Sequence, residues 1–142
     1  MPMQRLALIA AALLAAAPVA ASTWVTISDC SDSNTCLTVN GEKIRLACIT
    51  SPTEDAATLE EQAKGIAAWN YLRGRVTNQR IGIRRIAIEK GVRTRAELYQ
   101  LVDGKVTQIN KDLFEAGYAT IDPETKEECF WSKDIDSPIE KP

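Results

Sequence analysis

Four cysteines constrain this 142-residue chain more than any other feature: Cys30, Cys36, Cys48 and Cys129. Their number is even, and the N-terminus supplies a context in which such cysteines pair. Met1 to Arg5 make a short basic start, Leu6 to Ala17 an apolar run, and Pro18 with Val19-Ala20-Ala21 a small-residue exit. That order predicts a secretory signal over residues 1–21, cleaved after Ala21, and a secreted or periplasmic mature chain. A membrane anchor is the competing reading. About twelve apolar residues reach roughly 18 Å as a helix, against a hydrocarbon core of about 30 Å. Nothing later in the chain is apolar for long enough to span a bilayer.

Four cysteines allow three pairings. Cys30 and Cys36 bracket the polar stretch SDSNT, which reads as a hairpin loop that sets them face to face. That leaves Cys48 for Cys129, a staple of the tail, 122–142, onto the core. Zinc is disfavoured because there is no histidine and no C-x-x-C pair. Lack of histidine also excludes Ser-His-Asp and Cys-His nucleophile chemistry, so any catalysis would fall to carboxylates, Arg, Lys or Tyr.

The mature segment has a length suited to one domain. The whole chain holds 17 basic and 19 acidic residues, and Arg5 leaves with the signal, so the mature net charge is −3. This balance argues against a globally basic nucleic-acid binder and leaves room for local patches. The segment from Arg73 to Arg95 holds eight basic residues and one acid, Glu89. A solvated strand face explains it as well as a phosphate-binding stripe does.

WVTISD (24–29), CLTVN (36–40) and EKIRLACI (42–49) read as three strands, with Asn40-Gly41 as a tight turn. From Ala57 to Arg73 the period becomes helical: Leu59, Ala63, Ile66, Ala67, Trp69 and Leu72 form one face, and Thr58 with Glu61 a capping box. Alternation returns in QRIGIRRIAIE (79–89), with a slip at Arg84-Arg85 that predicts a bulge, and in RAELYQLV (95–102). After Asp103-Gly104 a second helix is expected from about Val106 to Ala116, closed by Gly117. This order predicts an α+β, mainly β domain over 22–121, compatible with a small closed barrel.

Three stretches resemble the thermonuclease (staphylococcal-nuclease-like) family, together covering about residues 24–121. ISDCSDSNTCLTV stands where the family has a D-G-D-T loop between two strands. GEKIRLACITSPTE stands where it has I-R-L-x-x-I-D-T-P-E. RAELYQLVDGKVTQINKDLFEAGYATI follows its pattern G-R-x-L-A-Y-V-x-x-D-G-x-x-V-N-x-x-L-V-x-x-G-L-A.

The resemblance implies a five-stranded OB-fold barrel carrying two to three helices. It also implies calcium-dependent hydrolysis of nucleic-acid phosphodiesters, with two carboxylates on the metal, a glutamate activating water and two arginines on the phosphate. Mapped onto this chain, the metal aspartates fall on Asn34 and Thr50, and Asp32 is retained. The glutamate falls on Thr53, with Glu54 next to it. Both arginines persist, as Arg45 and Arg95, and Arg93 takes one base-stacking position.

The expectation is therefore a monomeric, exported pseudo-nuclease without a resident cofactor. Weak binding of nucleotide or single-stranded nucleic acid is expected at an arginine pair less compensated than in an active member. The alternative is a weak calcium-dependent nuclease built on Asp32, Glu54 and Asp55 with Arg45 and Arg95. Blander readings exist: Arg45 as an ion-pair residue, Asp32 as a loop-completing acceptor, and Trp24, Trp69 and Trp131 as packing residues.

Overall fold

A computed structural model of the chain describes residues 23–136; the expected signal, 1–21, and its cleavage point lie outside them. β1 (Trp24–Cys30) and β2 (Thr35–Thr38) form the expected hairpin. Cys30 and Cys36 are direct cross-strand partners and are disulfide-bonded, S–S 2.02 Å. Gly41 takes φ +90°, as the Asn40-Gly41 turn requires, and β3 (Lys43–Leu46) returns antiparallel to β2.

The third strand is shorter than its sequence pattern. It breaks at Ala47-Cys48, where Cys48 adopts φ +69°. β4 (Ile49–Thr50) then pairs with β8 (Thr120–Ile121) instead. The break turns Cys48 toward Cys129, to which it is bonded, and its amide toward Thr125 Oγ1 at 3.1 Å.

Thr58 caps α1 (Leu59–Val76) by accepting the Glu61 amide, as the capping pattern predicts. The inward face differs from the expected one. Gly65, Ala68, Leu72 and Val76 are buried, whereas Leu59 and Ile66 are exposed. Gly65 decides the rotation. A Cβ there would lie 2.6 Å from the Pro52 carbonyl oxygen, so the helix meets the Pro52 loop backbone to backbone. Burial of Val76 carries the helix past Gly74, its expected end.

β5 (Arg80–Glu89) and β6 (Arg93–Val102) are antiparallel, with a register shift between Arg85 and Ala87 where the alternation slips. The second helix starts later than expected. Asp103 (φ +50°) and Gly104 (φ +77°) form a two-residue turn, which lays β7 (Lys105–Gln108) back along β6. Helix α2 (Ile109–Glu115) follows. Gly117 closes it at φ +81°, with the Gly117 amide on Phe114 O and the Tyr118 amide on Leu113 O.

The molecule is α+β and mainly β. Its six-stranded sheet runs β3-β2-β1-β5-β6-β7, and β3 pairs in parallel with β6 as well. Ile27, Ile44, Leu46, Ile81 and Leu98 from the strands meet Leu72, Ile109 and Leu113 from the helices in the main core. A smaller cluster joins Ala47, Cys48 and Cys129 to Ile86 and Trp131. No described helix is long and apolar enough to cross a membrane.

Candidate functional site

Parallel pairing of β3 with β6 sets Arg45 directly beside Arg95. Alternation buries Ile44, Leu46, Thr94 and Ala96 and turns Lys43, Arg45, Arg93 and Arg95 to the other face. Glu89, at the end of β5, lies between the guanidinium groups. Its Oε1 is 3.1 Å from Nη1 of both Arg45 and Arg95, and its Oε2 is 2.8 Å from Arg93 Nε.

Two further carboxylates come from the tail. Asp122 Oδ2 is 3.4 Å from Arg45 Nη2. Glu128 grips Arg95 with both oxygens, Oε1 2.9 Å from Nη2 and Oε2 3.1 Å from Nε. Arg45, Arg93 and Arg95 thus face Glu89, Asp122 and Glu128, so each of the three guanidinium groups is ion-paired within the fold.

Burial pushes the Glu89 carboxyl up. Hydrogen bonds from Arg95 and Arg93 and the charges of Arg45 and Arg93 outweigh it and hold Glu89 below the ordinary glutamate value of 4.5. A carboxylate whose folded pKa is depressed stabilises the fold in full above its unfolded pKa, and the contribution vanishes as pH falls through the folded pKa. Glu89→Gln is therefore expected to destabilise the protein near neutral pH, with the difference from wild type shrinking below pH 4.5. Denaturant unfolding across that range checks it; a difference that stays constant into strong acid would refute the assignment.

The other expected site residues do not gather in one place: Asp32 lines one groove and Thr50 and Thr53 another. The Asp32 groove, of about 320 Å³, is also lined by Ser31, Thr35, Lys43, Lys90 and Arg93. Asp32 Oδ1 accepts the Asn34 amide at 2.9 Å, the loop-completing role. Asn34 Oδ1 accepts from Thr35 Oγ1 at 3.2 Å, and its carbonyl from the Leu46 amide at 2.8 Å. Thr50 and Thr53 line a second groove with Pro52, Glu61 and Thr120. Glu54 lies in the turn before α1, and Asp55 accepts a hydrogen bond from Thr53 Oγ1. Among the described residues, no three Asp, Glu, Cys or His side chains gather as a metal-holding group.

The basic segment 73–95 is largely neutralised from elsewhere in the fold. Arg73 pairs with Asp29, Arg75 with Asp112, Arg84 with Glu97 and Arg85 with Glu42. Arg80 stacks over Trp24, 5.4 Å from the ring centroid. The sequence reading missed Glu89, Asp122 and Glu128 as site residues. Two signals were available: Glu89 is the one acid in the basic segment, and the expected Cys48–Cys129 bond brings the residues next to Cys129 close to β3.

No family model matches the chain, and no curated protein matches it in sequence.

Proposed function

We propose that this chain is an exported, thermonuclease-like domain that has lost hydrolysis and retains weak affinity for phosphate-bearing ligands. The observation that carries the reading is Arg45 side by side with Arg95 on parallel strands, the pair that the resemblance assigns to phosphate. Strand pairing supports an OB-fold barrel: β1–β2, β2–β3, β3–β6, β6–β5 and β5–β1 return to their start. Two disulfides fit an oxidising compartment outside the cytoplasm.

The residues at the metal positions do not fit calcium, which takes several anionic oxygens. Asn34 and Thr50 are neutral, and one Asp32 oxygen is engaged by a backbone amide. A threonine in place of the general base removes roughly 10²–10⁴ in rate as well. For binding, Lys43, Lys90 and Arg93 extend the basic surface along the Asp32 groove. Aromatic stacking, worth about 1–3 kcal/mol per base, is missing at the expected position, now Arg93. Affinity is accordingly weak and falls with salt, because phosphate contacts act by releasing counterions.

The test is incubation of the oxidised mature protein with single-stranded DNA and RNA, with and without Ca²⁺. No cleavage is expected. Binding at low salt is expected, and loss of it in Arg45→Ala/Arg95→Ala. Calcium-dependent cleavage abolished by Glu54→Ala would replace this reading with that of a divergent nuclease.

A further inference from the structure

We infer that the C-terminal segment occupies the arginine pair as a built-in anion, so that a phosphate enters only by displacing Glu128. The inference rests on the anion-site reading above and concerns how that site is filled. Cys129 is bonded to Cys48 at the bend after β3, and both are fully buried. The staple is therefore permanent. It keeps the backbone of the adjoining Glu128 within reach of Arg95 whether or not the carboxylate is engaged.

Backbone contacts fix the same segment: the Asp122 amide donates to Cys48 O at 3.0 Å and Arg84 Nη2 to Glu128 O at 2.7 Å. The Glu128 carboxylate then meets Arg95 as a fork, with Nη2 2.9 Å from Oε1 and Nε 3.1 Å from Oε2. Two oxygens of a phosphate would use that geometry on the same guanidinium. Ligand and glutamate are thus competitors for one set of donors.

The three carboxylates differ in how readily they leave. Asp122 also accepts from Thr125 Oγ1 at 2.9 Å and from the Glu124 amide at 3.0 Å, so its position is structural. Glu89 bridges three arginines. Glu128 alone spends both oxygens on one arginine, and about a quarter of its side chain, 26%, is exposed. It is the group that can swing away. A tethered competitor acts at an effective concentration that no free ligand matches when dilute, which lowers apparent affinity by the fraction of molecules with the site open.

The measurement is fluorescence anisotropy of a fluorescein-labelled oligothymidylate at low salt, with the full oxidised mature chain. Glu128→Gln should bind about tenfold more tightly than wild type, a factor set by the share of molecules in which the cap is closed. Inorganic phosphate should compete, and Glu128→Gln/Arg95→Ala should lose the gain. Glu127→Gln, on the exposed neighbouring acid, controls for net charge. Equal tightening in Glu127→Gln would overturn the cap. So would equal binding by wild type and Glu128→Gln, both abolished in Arg45→Ala/Arg95→Ala, and that outcome would leave the anion site standing. No binding by any of the proteins would overturn the anion site itself and the cap with it.

Discussion

Replacing Cys48 and Cys129 together by serine is expected to lower the free energy of unfolding by about 4–5 kcal/mol. The bond closes a loop with a sequence separation of 81, and the chain-entropy relation assigns a loop of that size roughly 4.5 kcal/mol. Two hydroxyls would also replace sulfur in a cluster with Ala47, Ile86 and Trp131, where unpartnered polar groups are unfavourable. Domains of this size are stable by about 5–15 kcal/mol in total, so the variant would be marginal. Serine at both Cys30 and Cys36 should cost only about 2 kcal/mol, because that loop has a separation of 6. Denaturant midpoints at constant m-value decide between them. Equal losses for the two pairs would show that loop length is not what governs their stabilisation.

The second large effect is expected at Asn110, a polar side chain with no exposure to solvent. Its Oδ1 accepts the Leu98 amide at 3.0 Å, and its Nδ2 donates to Ala47 O at 2.9 Å and Ala96 O at 3.1 Å. One side chain on α2 thereby ties β6 to the bend after β3. Asn110→Ala should cost about 3–5 kcal/mol, since it strands the Leu98 amide and the Ala47 carbonyl at roughly 1–3 kcal/mol each and leaves a void. Ala96 O keeps the Ala47 amide as a partner. Asn110→Asp, similar in shape, should also destabilise, because the donors to both carbonyls are lost. A loss below about 1 kcal/mol in Asn110→Ala would mean that water replaces the amide.

Local rules carried much of the fold. Asp103-Gly104, Asn40-Gly41, the Thr58 cap and the Gly117 terminus all follow from the conformational needs of a few adjacent residues, and each stands where the pattern placed it. The disulfide pairing was legible because a polar loop puts Cys30 opposite Cys36 and leaves one partner for Cys48. What stayed hidden depends on contacts between distant segments. The face of α1 is chosen by Gly65 against Pro52, which no periodicity in the helix encodes. Val106 sits in a strand because β6 offers it a ladder. The basic segment left a solvated strand face and a phosphate-binding stripe equally open, because most of the carboxylates that pair with its arginines lie outside it, such as Glu128 at the far end of the chain for Arg95 and Glu42 for Arg85.

The parallel contact between β3 and β6 has a kinetic consequence. It joins residues fifty positions apart, Arg45 and Arg95, whereas β1–β2, β2–β3 and β6–β7 are hairpins closed by short turns. Loop closure over that distance must be completed before the pairing returns any free energy, so hairpins and helix form readily while this contact waits. Once formed, it aligns the β1–β2–β3 ribbon with the β5–β6–β7 ribbon. The β1–β5 and β4–β8 pairings span still longer separations, so the juxtaposition of Arg45 and Arg95 is expected to arise with the long-range contacts of the fold and not with its hairpins.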